Sequence, residues 1–305
     1  MNFNFKSVIE FLDYFKDEDT CLDVFEKIRF KDGYNCPHCK HNDVYKFKNR
    51  RLYKCKKCHK KFSAKVGTIF ESSKIPLKKW FLAAYLLTSA KKGISSVQMA
   101  NQLGVTQKTA WYMVHRLRQI LFNENMDFSG VIEIDETYIG GKESNKPKHK
   151  RIPNTQGRSL KSKTAIVGII NRENETRRKT ITAFKVDNVK GKTIRELIKT
   201  VDRNVTIYTD EFRGYNSLSK EFNHQQVNHS IKEWVNGDVH TNNIENFWSL
   251  FKRGYLGIYH WMSKKHLQLY INEFSFRYNY KKDYLEELLS RSIGKTLSYK
   301  ELTNG

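Results

Sequence analysis

Two cysteine pairs, Cys36-Pro-His-Cys39 and Cys55-Lys-Lys-Cys58, are separated by 15 residues in a chain of 305. Two residues between cysteines let both sulfurs of a tight knuckle face one ion. The segment Asp43 to Tyr53 alternates well enough to form a hairpin that returns the second knuckle to the first. The spacing therefore predicts a small zinc ribbon over residues 31–70, with Cys36, Cys39, Cys55 and Cys58 holding a structural Zn2+. Four thiolates leave no open position for water, so the ion is not a catalyst. His38, His41 and His59 lie close enough in sequence to replace one thiolate. A pair of disulfides is the other use of four cysteines, but the odd fifth one, Cys21, and a reducing compartment argue against it. Cys21 sits among Phe11, Tyr14, Phe15, Leu22, Val24, Phe25 and Ile28 in a helical segment spanning 1–30, where a buried small apolar residue is expected.

Charge narrows the partner. The chain carries 55 Lys+Arg against 32 Asp+Glu, a net +23. Residues 31 to 65 contribute +10 and residues 141 to 165 contribute +7, so the excess is clustered and not spread for solubility. Such patches suit a polyanion, because each cation laid on a phosphate releases condensed counterions. No basic amphipathic helix accompanies either cluster, which favours nucleic acid over a membrane surface. The longest apolar run, Trp80 to Leu87, is less than half of the roughly 20 residues a membrane span needs. Acidic residues near the start (Asp13, Asp17, Glu18, Asp19, Asp23) do not fit a signal peptide, and a cytoplasmic location is expected.

Residues 71–125 read as a helix-turn-helix region. Apolar residues recur at three and four from Leu77 to Leu87 and from Thr106 to Leu121. Ser95 or Ser96 can cap a short helix between them, Gly104 can supply the turn and Thr106 can cap the last helix. The N-terminal end of that helix would project Gln107, Lys108, Thr109 and Tyr112 towards bases or phosphates. An ordinary packed helical hairpin has the same pattern.

Beyond Gly130 the composition turns to strands: Val131 to Gly141, Thr164 to Ile170, Lys179 to Val186 and Asn204 to Asp210, with a helix from about Lys192 to Val201 after the third. A short helical piece near Tyr215, a strand at Gln225 to Val227 and a helix from Asn242 through Phe251 follow. In this order strand one lies beside strand four, so Asp135 and Asp210 face each other. Two such carboxylates repel unless a cation lies between them. Glu245 offers a third oxygen ligand, and Lys252 lies two turns along the same helix face. An all-carboxylate set suits Mg2+ or Mn2+, and two such ions serve in-line phosphodiester transfer. Glu133, Glu136, Glu211 and Asp238 are neighbours that could replace the chosen ligands. The loop 142–163, with Lys142, Lys148, Lys150 and Arg151, is expected to lie along DNA and to order on binding.

These residues together resemble the DDE transposases of bacterial insertion sequences, in the ISXO-type group that joins a zinc ribbon to an RNase H-like domain. The resemblance rests on the two cysteine pairs, Ile134-Asp-Glu-Thr-Tyr-Ile-Gly-Gly-Lys142, Tyr208-Thr-Asp210 and His240-Thr-Asn-Asn-Ile-Glu-Asn-Phe-Trp-Ser-Leu-Phe-Lys-Arg-Gly254. It implies an α/β fold: an RNase H-like mixed sheet flanked by helices over 126–285, preceded by the zinc ribbon and helix-turn-helix and followed by a tail, 286–305. It implies Asp135, Asp210 and Glu245 as metal-binding acids, with Lys252 and its neighbour Arg253 on the DNA. It further implies cleavage at terminal inverted repeats, attack of a freed 3'-hydroxyl on target DNA, and action on the bacterial nucleoid. Joining two element ends to one target calls for a homodimer or larger assembly. A non-catalytic zinc-ribbon and helix-turn-helix regulator, or a remnant that lost its chemistry, is the alternative, and a nuclease of the same fold that cuts without joining is a third.

Overall fold

A computed structural model of the chain describes residues 3, 5–48, 51–122, 128–141, 143–153, 155, 157–172, 179–231, 233, 235–280 and 284–304. The chain divides into one unit of residues 1–122 with 280–305 and another of residues 123–279.

The first unit is built from capped helices around aromatic rings. Helix α1 (Val8–Tyr14) starts where the Ser7 hydroxyl accepts from the Glu10 N–H, and α2 (Glu18–Arg29) where Asp17 accepts from Thr20. The zinc-ribbon segment forms a three-stranded antiparallel sheet of β1 (Val44–Lys46), β2 (Tyr53–Cys55) and β3 (Lys61–Phe62). Helix α3 (Leu77–Ser89) follows Pro76, which offers no side-chain cap. Both Glu18 carboxylate oxygens supply one from α2, accepting from the Leu77 and Lys78 N–H groups at 2.8 and 3.0 Å. Ser95 and Thr106 cap α4 (Ser96–Leu103) and α5 (Gln107–Gln119), and Gly104 between them adopts φ +58°, the left-handed turn that glycine tolerates. Phe11, Phe15, Phe25, Phe70, Trp80 and Phe81 are fully buried. Phe15 and Phe25 set their rings edge-on to Phe81 and Phe70, each pair at 5.2 Å.

The C-terminal residues are not a tail. Helices Tyr284–Arg291 and Tyr299–Asn304 bury Leu285, Leu288, Leu289 and Leu302. The strand-like bridge Thr68–Ile293 and the bond from the Gly294 N–H to the Gly67 carbonyl at 2.8 Å tie them to the chain beyond the ribbon. Leucines at three- and four-residue spacing account for the return: left in water they would forfeit about 2 kcal/mol each.

The second unit is a five-stranded mixed sheet in the order β6-β5-β4-β7-β8. Its strands are β4 (Val131–Ile139), β5 (Thr164–Asn171), β6 (Thr180–Val186), β7 (Thr206–Thr209) and β8 (Asn223–Gln226). Strands β4, β5 and β6 run antiparallel, while β4–β7 and β7–β8 pair in parallel. The predicted adjacency of the first and fourth strands is present. One face of the sheet buries Ile132, Ile134, Val167, Ile169 and Ile207 against α6 (Gly191–Leu197) and the turn carrying Tyr215. The other buries Ile139, Ile166, Ile170 and Ile181 against α7 (Asn242–Gly254) and α8 (Leu267–Asn279). Alternation along β4 thus sends odd-numbered residues to α7 and even-numbered ones to α6. No helix among the described residues is long and apolar enough to cross a membrane.

The ribbon has almost no core of its own. Its buried cluster is Cys36, Val44, Tyr53, Cys55 and Phe62. The four sulfurs lie within 4.8 Å of one another, with Cys36–Cys58 at 3.7 Å and Cys39–Cys55 at 3.6 Å. A tetrahedral zinc with Zn–S bonds of about 2.3 Å separates its sulfurs by about 3.8 Å, so this set fits zinc and is far too open for disulfides. The knuckles repeat each other: the Lys40 and His59 N–H groups donate to the Cys36 and Cys55 carbonyls at 2.9 and 3.0 Å. Both residues take a left-handed φ, +61° and +57°. Without metal the sulfurs compete: backbone N–H groups of Cys58 and Lys57 pull the Cys55 thiol down to about 7, while at Cys39 the His41 N–H is outweighed by burial and the neighbouring sulfurs, which push the thiol up to about 11. Removing zinc with a strong chelator is expected to raise amide exchange across residues 36–62 to unprotected rates, while strands β4 to β7 keep their protection. Hydrogen exchange read by mass spectrometry checks this, and a protected ribbon after chelation would rule zinc out as its organiser.

Candidate active site

The sheet brings three carboxylates together. Asp135 and Glu136 are consecutive on β4, and Asp210 directly follows β7, the parallel neighbour. Oxygens of Asp135, Glu136 and Asp210 lie within 4.8 Å of one another. Sequence reasoning placed Asp135 and Asp210 together and treated Glu136 only as a neighbour. Alternation sends Glu136 to the opposite face, yet its side chain is long enough to converge with the other two near the end of β7.

Each acid is held by identifiable partners. Asp135 accepts from the Trp248 indole N–H at 3.0 Å. Burial and the like charges of Glu136 and Asp210 push its carboxyl up to about 8. Glu136 is fully buried at its side chain, accepts from the Tyr215 hydroxyl at 2.6 Å and pairs with Arg158 at 2.9 Å. Burial raises its carboxyl as well. Asp210 accepts from the Phe212 N–H at 3.0 Å, and Arg158 lies 3.9 Å from its other oxygen. One guanidinium therefore spans two of the three acids. Crowding of carboxylates, two of which resist ionisation, is the condition a divalent cation relieves.

Helix α7 supplies the cleft wall. Ile244, Phe247, Trp248 and Phe251 recur at helical spacing and are buried against the sheet. Glu245, Ser249, Lys252, Arg253 and Leu256, with Trp248, line a cleft of about 460 Å3 together with Asp135, Glu136 and Thr137. Glu245 thus shares the cleft with Asp135 and Glu136, and its Oε1 accepts from the Thr241 hydroxyl at 2.9 Å. Lys252 and Arg253 are exposed in the last turn.

The polar run His240-Thr-Asn-Asn is the seat of that helix. Glu133, fully buried, accepts from the backbone N–H groups of Asn243 and Ile244, each at 3.1 Å, at the open N-terminus of α7. Arg172 donates to Glu133 at 2.7 Å and to the carbonyls of Asp238 and His240 at 2.8 Å each. Glu133 is consumed by this cap, and Asp238 joins it through its backbone carbonyl. Gly168, opposite Asp135 on β5, completes the seat: a Cβ there would stand 2.7 Å from Trp248 Cζ2. Sequence reasoning missed Gly168, although a glycine inside an apolar strand is a signal of close approach. Arg158, Arg172 and Tyr215 had no local signal, since only the fold brings them to the acids.

The expected DNA-contact residues have mixed placements. Lys148, Lys150 and Arg151 are exposed, in a loop that already carries turns at Glu143–Asn145 and Lys148–Lys150. Arg151 is spent inside the loop, donating to the Lys146 and Ser144 carbonyls at 2.8 Å each, and Glu143 pairs with Lys146 at 2.6 Å. Lys142 lies outside the described residues. Gln107 and Lys108 are exposed at the start of α5, with Lys108 5.1 Å over the Tyr299 ring. Tyr112 is half-buried and donates its hydroxyl to the Leu297 carbonyl at 2.7 Å, so the returning C-terminal segment occupies the polar end of its ring.

A mixed sheet with two acids in the middle of its central strand, a third just past the end of the parallel neighbour and an acid-bearing helix packed on it fits the DDE class of domain. Residues 127–279 match the ISXO2-like transposase domain and residues 16–61 match the transposase zinc-ribbon domain. The chain belongs to this ISXO2-like transposase family. It is 31% identical over 273 residues to an uncharacterized protein in transposable element ISH50 of Halobacterium salinarum, covering 86% of this chain and 91% of the relative. It is 35% identical over 96 residues to an uncharacterized transposase-like protein of Haemophilus influenzae, covering 31% of this chain and 76% of that one.

Two outcomes follow from the packing and the charge. Gly168→Ala should drive the Trp248 ring off Asp135 and cost about 1–3 kcal/mol in denaturant titrations, with a change in indole fluorescence; unaltered fluorescence and stability would contradict the close approach. Asp135 is protonated in the folded metal-free protein up to about pH 8, whereas the unfolded chain ionises near its ordinary value of 3.8. The folded state therefore binds more protons between these values, and this group lowers stability as pH rises through the window. Asp135→Asn, which cannot ionise, should match the wild type near pH 4 and become progressively more stable than it towards pH 8 when melting is followed without divalent metal.

Proposed function

We propose that this chain is an active transposase that cuts DNA at the ends of its element and joins those ends to target DNA. The observation that carries this reading is the convergence of Asp135, Glu136 and Asp210, two of which, Asp135 and Glu136, line a cleft whose other wall presents Glu245, Lys252 and Arg253. Acids alone would repel a DNA phosphate, and cations alone would only bind it; here the two meet in one cleft.

Asp135 and Asp210 are the proposed ligands for Mg2+ or Mn2+, with Glu136 or Glu245 as the third. Divalent ions held there would activate the attacking oxygen and carry charge on the departing one. The protein's share is placement. Trp248 fixes Asp135, the Phe212 N–H fixes Asp210 and Thr241 fixes Glu245. Arg158 balances the acids until a cation replaces it, and the freed guanidinium then becomes available to a DNA phosphate. Lys252, Arg253 and the loop cations Lys148 and Lys150 hold the backbone of the DNA, while Gln107, Lys108 and the helix-turn-helix region 71–125 serve sequence recognition, with the zinc ribbon 31–70 beside it in sequence. Two ends joined to one target require at least two active sites, so the working form is a homodimer or larger assembly on DNA.

The test is a cleavage and strand-transfer assay with Mg2+ on duplexes bearing the element's terminal repeats. Asp135→Ala and Asp210→Ala should each lower cleavage at least about a thousandfold while retaining DNA binding. Comparing Glu245→Gln with Glu136→Gln identifies the third ligand as the one whose loss is matched by loss of metal binding. Cleavage without joining would make the protein a nuclease, and binding with no cleavage under any divalent metal would make it a DNA-binding regulator or inactive remnant.

A further inference from the structure

Directly after α7 the helix widens into a π-helical turn, Tyr255–Tyr259, and the next residue, His260, takes a left-handed φ of +56°. Both are uncommon, and single π turns recur at functional sites. The turn is pinned at both sides. Tyr255 is buried before it, Met262 is buried after it, and the Tyr259 hydroxyl donates to the fully buried Glu273 on α8, with the Tyr259 ring 4.9 Å from that of Tyr270. Between these anchors Leu256 and Trp261 stand 68% and 65% exposed. Of the other described tryptophans Trp80 and Trp248 are buried and Trp111 is half-buried, so a rigid base that holds one this far out in water is unusual for this chain.

The surroundings indicate what covers this apolar protrusion. Leu256 lines the cleft that contains Asp135, Glu136 and Glu245. From Asn246 to Asn272 the sequence has no Asp or Glu; Lys252 and Arg253 line the cleft with Leu256, and Lys264 and Lys265 are exposed just after Trp261 in sequence. An apolar ring framed by cations beside an acid cleft suits an unpaired nucleotide, whose base stacks on the ring while its phosphates meet the lysines and arginines. We infer that Trp261, supported by Leu256, is a base-stacking site that captures a nucleotide unstacked from the DNA end next to the scissile phosphate. Unstacking frees the strand to bend, so that the phosphate reaches carboxylates recessed between the sheet and α7. This inference rests on the proposed transposase activity.

Cleavage by wild type, Trp261→Ala and Trp261→Phe is compared on terminal-repeat duplexes that are fully paired or carry an abasic site beside the scissile phosphate. Trp261→Ala should cut paired ends about tenfold slower or worse, Trp261→Phe should stay near wild type, and the abasic end should restore Trp261→Ala to within about twofold. Equal loss on both ends, or no loss, overturns the stacking site. So does unchanged cleavage accompanied by an altered sedimentation profile, which would assign the protrusion to a contact between copies of this chain. A second readout separates this inference from the activity it rests on: 2-aminopurine placed beside the scissile phosphate, with binding measured without divalent metal. Its emission should change on binding wild type and not on binding Trp261→Ala, even if no cleavage occurs. The same response from both proteins overturns the proposal.

Discussion

The sheet-and-helix unit depends on one buried carboxylate, Glu133, that is used up in packing. Glu133 projects from the central strand into the exposed N–H groups of α7, and Arg172 balances its charge while holding the loop that leads into the helix. Removing one partner from such a buried arrangement leaves the others unsatisfied, at a cost of about 3–5 kcal/mol. The geometry is also directional. Glu133 is two residues before Asp135 on the same strand face, so the cap that fixes α7 and the aspartate that α7 faces share one rigid ladder. The position of Glu245, Trp248 and Lys252 relative to Asp135 is set there. Glu18 plays the same part for α3 in the other unit, where a proline precludes a local cap.

Around this frame the electrostatics have two layers. The inner layer is acidic: Asp135 and Glu136 are both pushed up by burial, with the Trp248 indole on the first and Tyr215 and Arg158 on the second. The outer layer is basic and exposed, on the loop from Glu143, the last turn of α7 and the turn beyond it. Exposed cations of this kind attract a polyanion, whereas crowded carboxylates repel one.

Much of the fold was legible because periodicity reports burial directly. The strands of β4 to β7, the caps at Ser95 and Thr106 and the turn at Gly104 follow from local patterns that the structure did not need to override. The C-terminal helices were misread as a tail because eight- and six-residue elements carry too little pattern, and their burial depends on partners at Gly67 and Ile69 more than two hundred residues away. Tyr112 was read as a free DNA contact for the same reason: its covering partner, Leu297, is distant in sequence.

By itself the sequence determined the chemistry available: four thiolates at zinc spacing, acids on the first and fourth strands, and a helix carrying Glu245 and Lys252 on one stripe, since each depends only on spacing within an element or on strand order. The tertiary structure decided the assignments. It spent Glu133 on a helix cap, brought Glu136 in beside Asp135 and Asp210, set Arg158 across two of them and left Trp261 exposed beyond the cleft. Those outcomes depend on distances of a few ångströms between side chains that the sequence separates by tens of residues, and no local period encodes such distances.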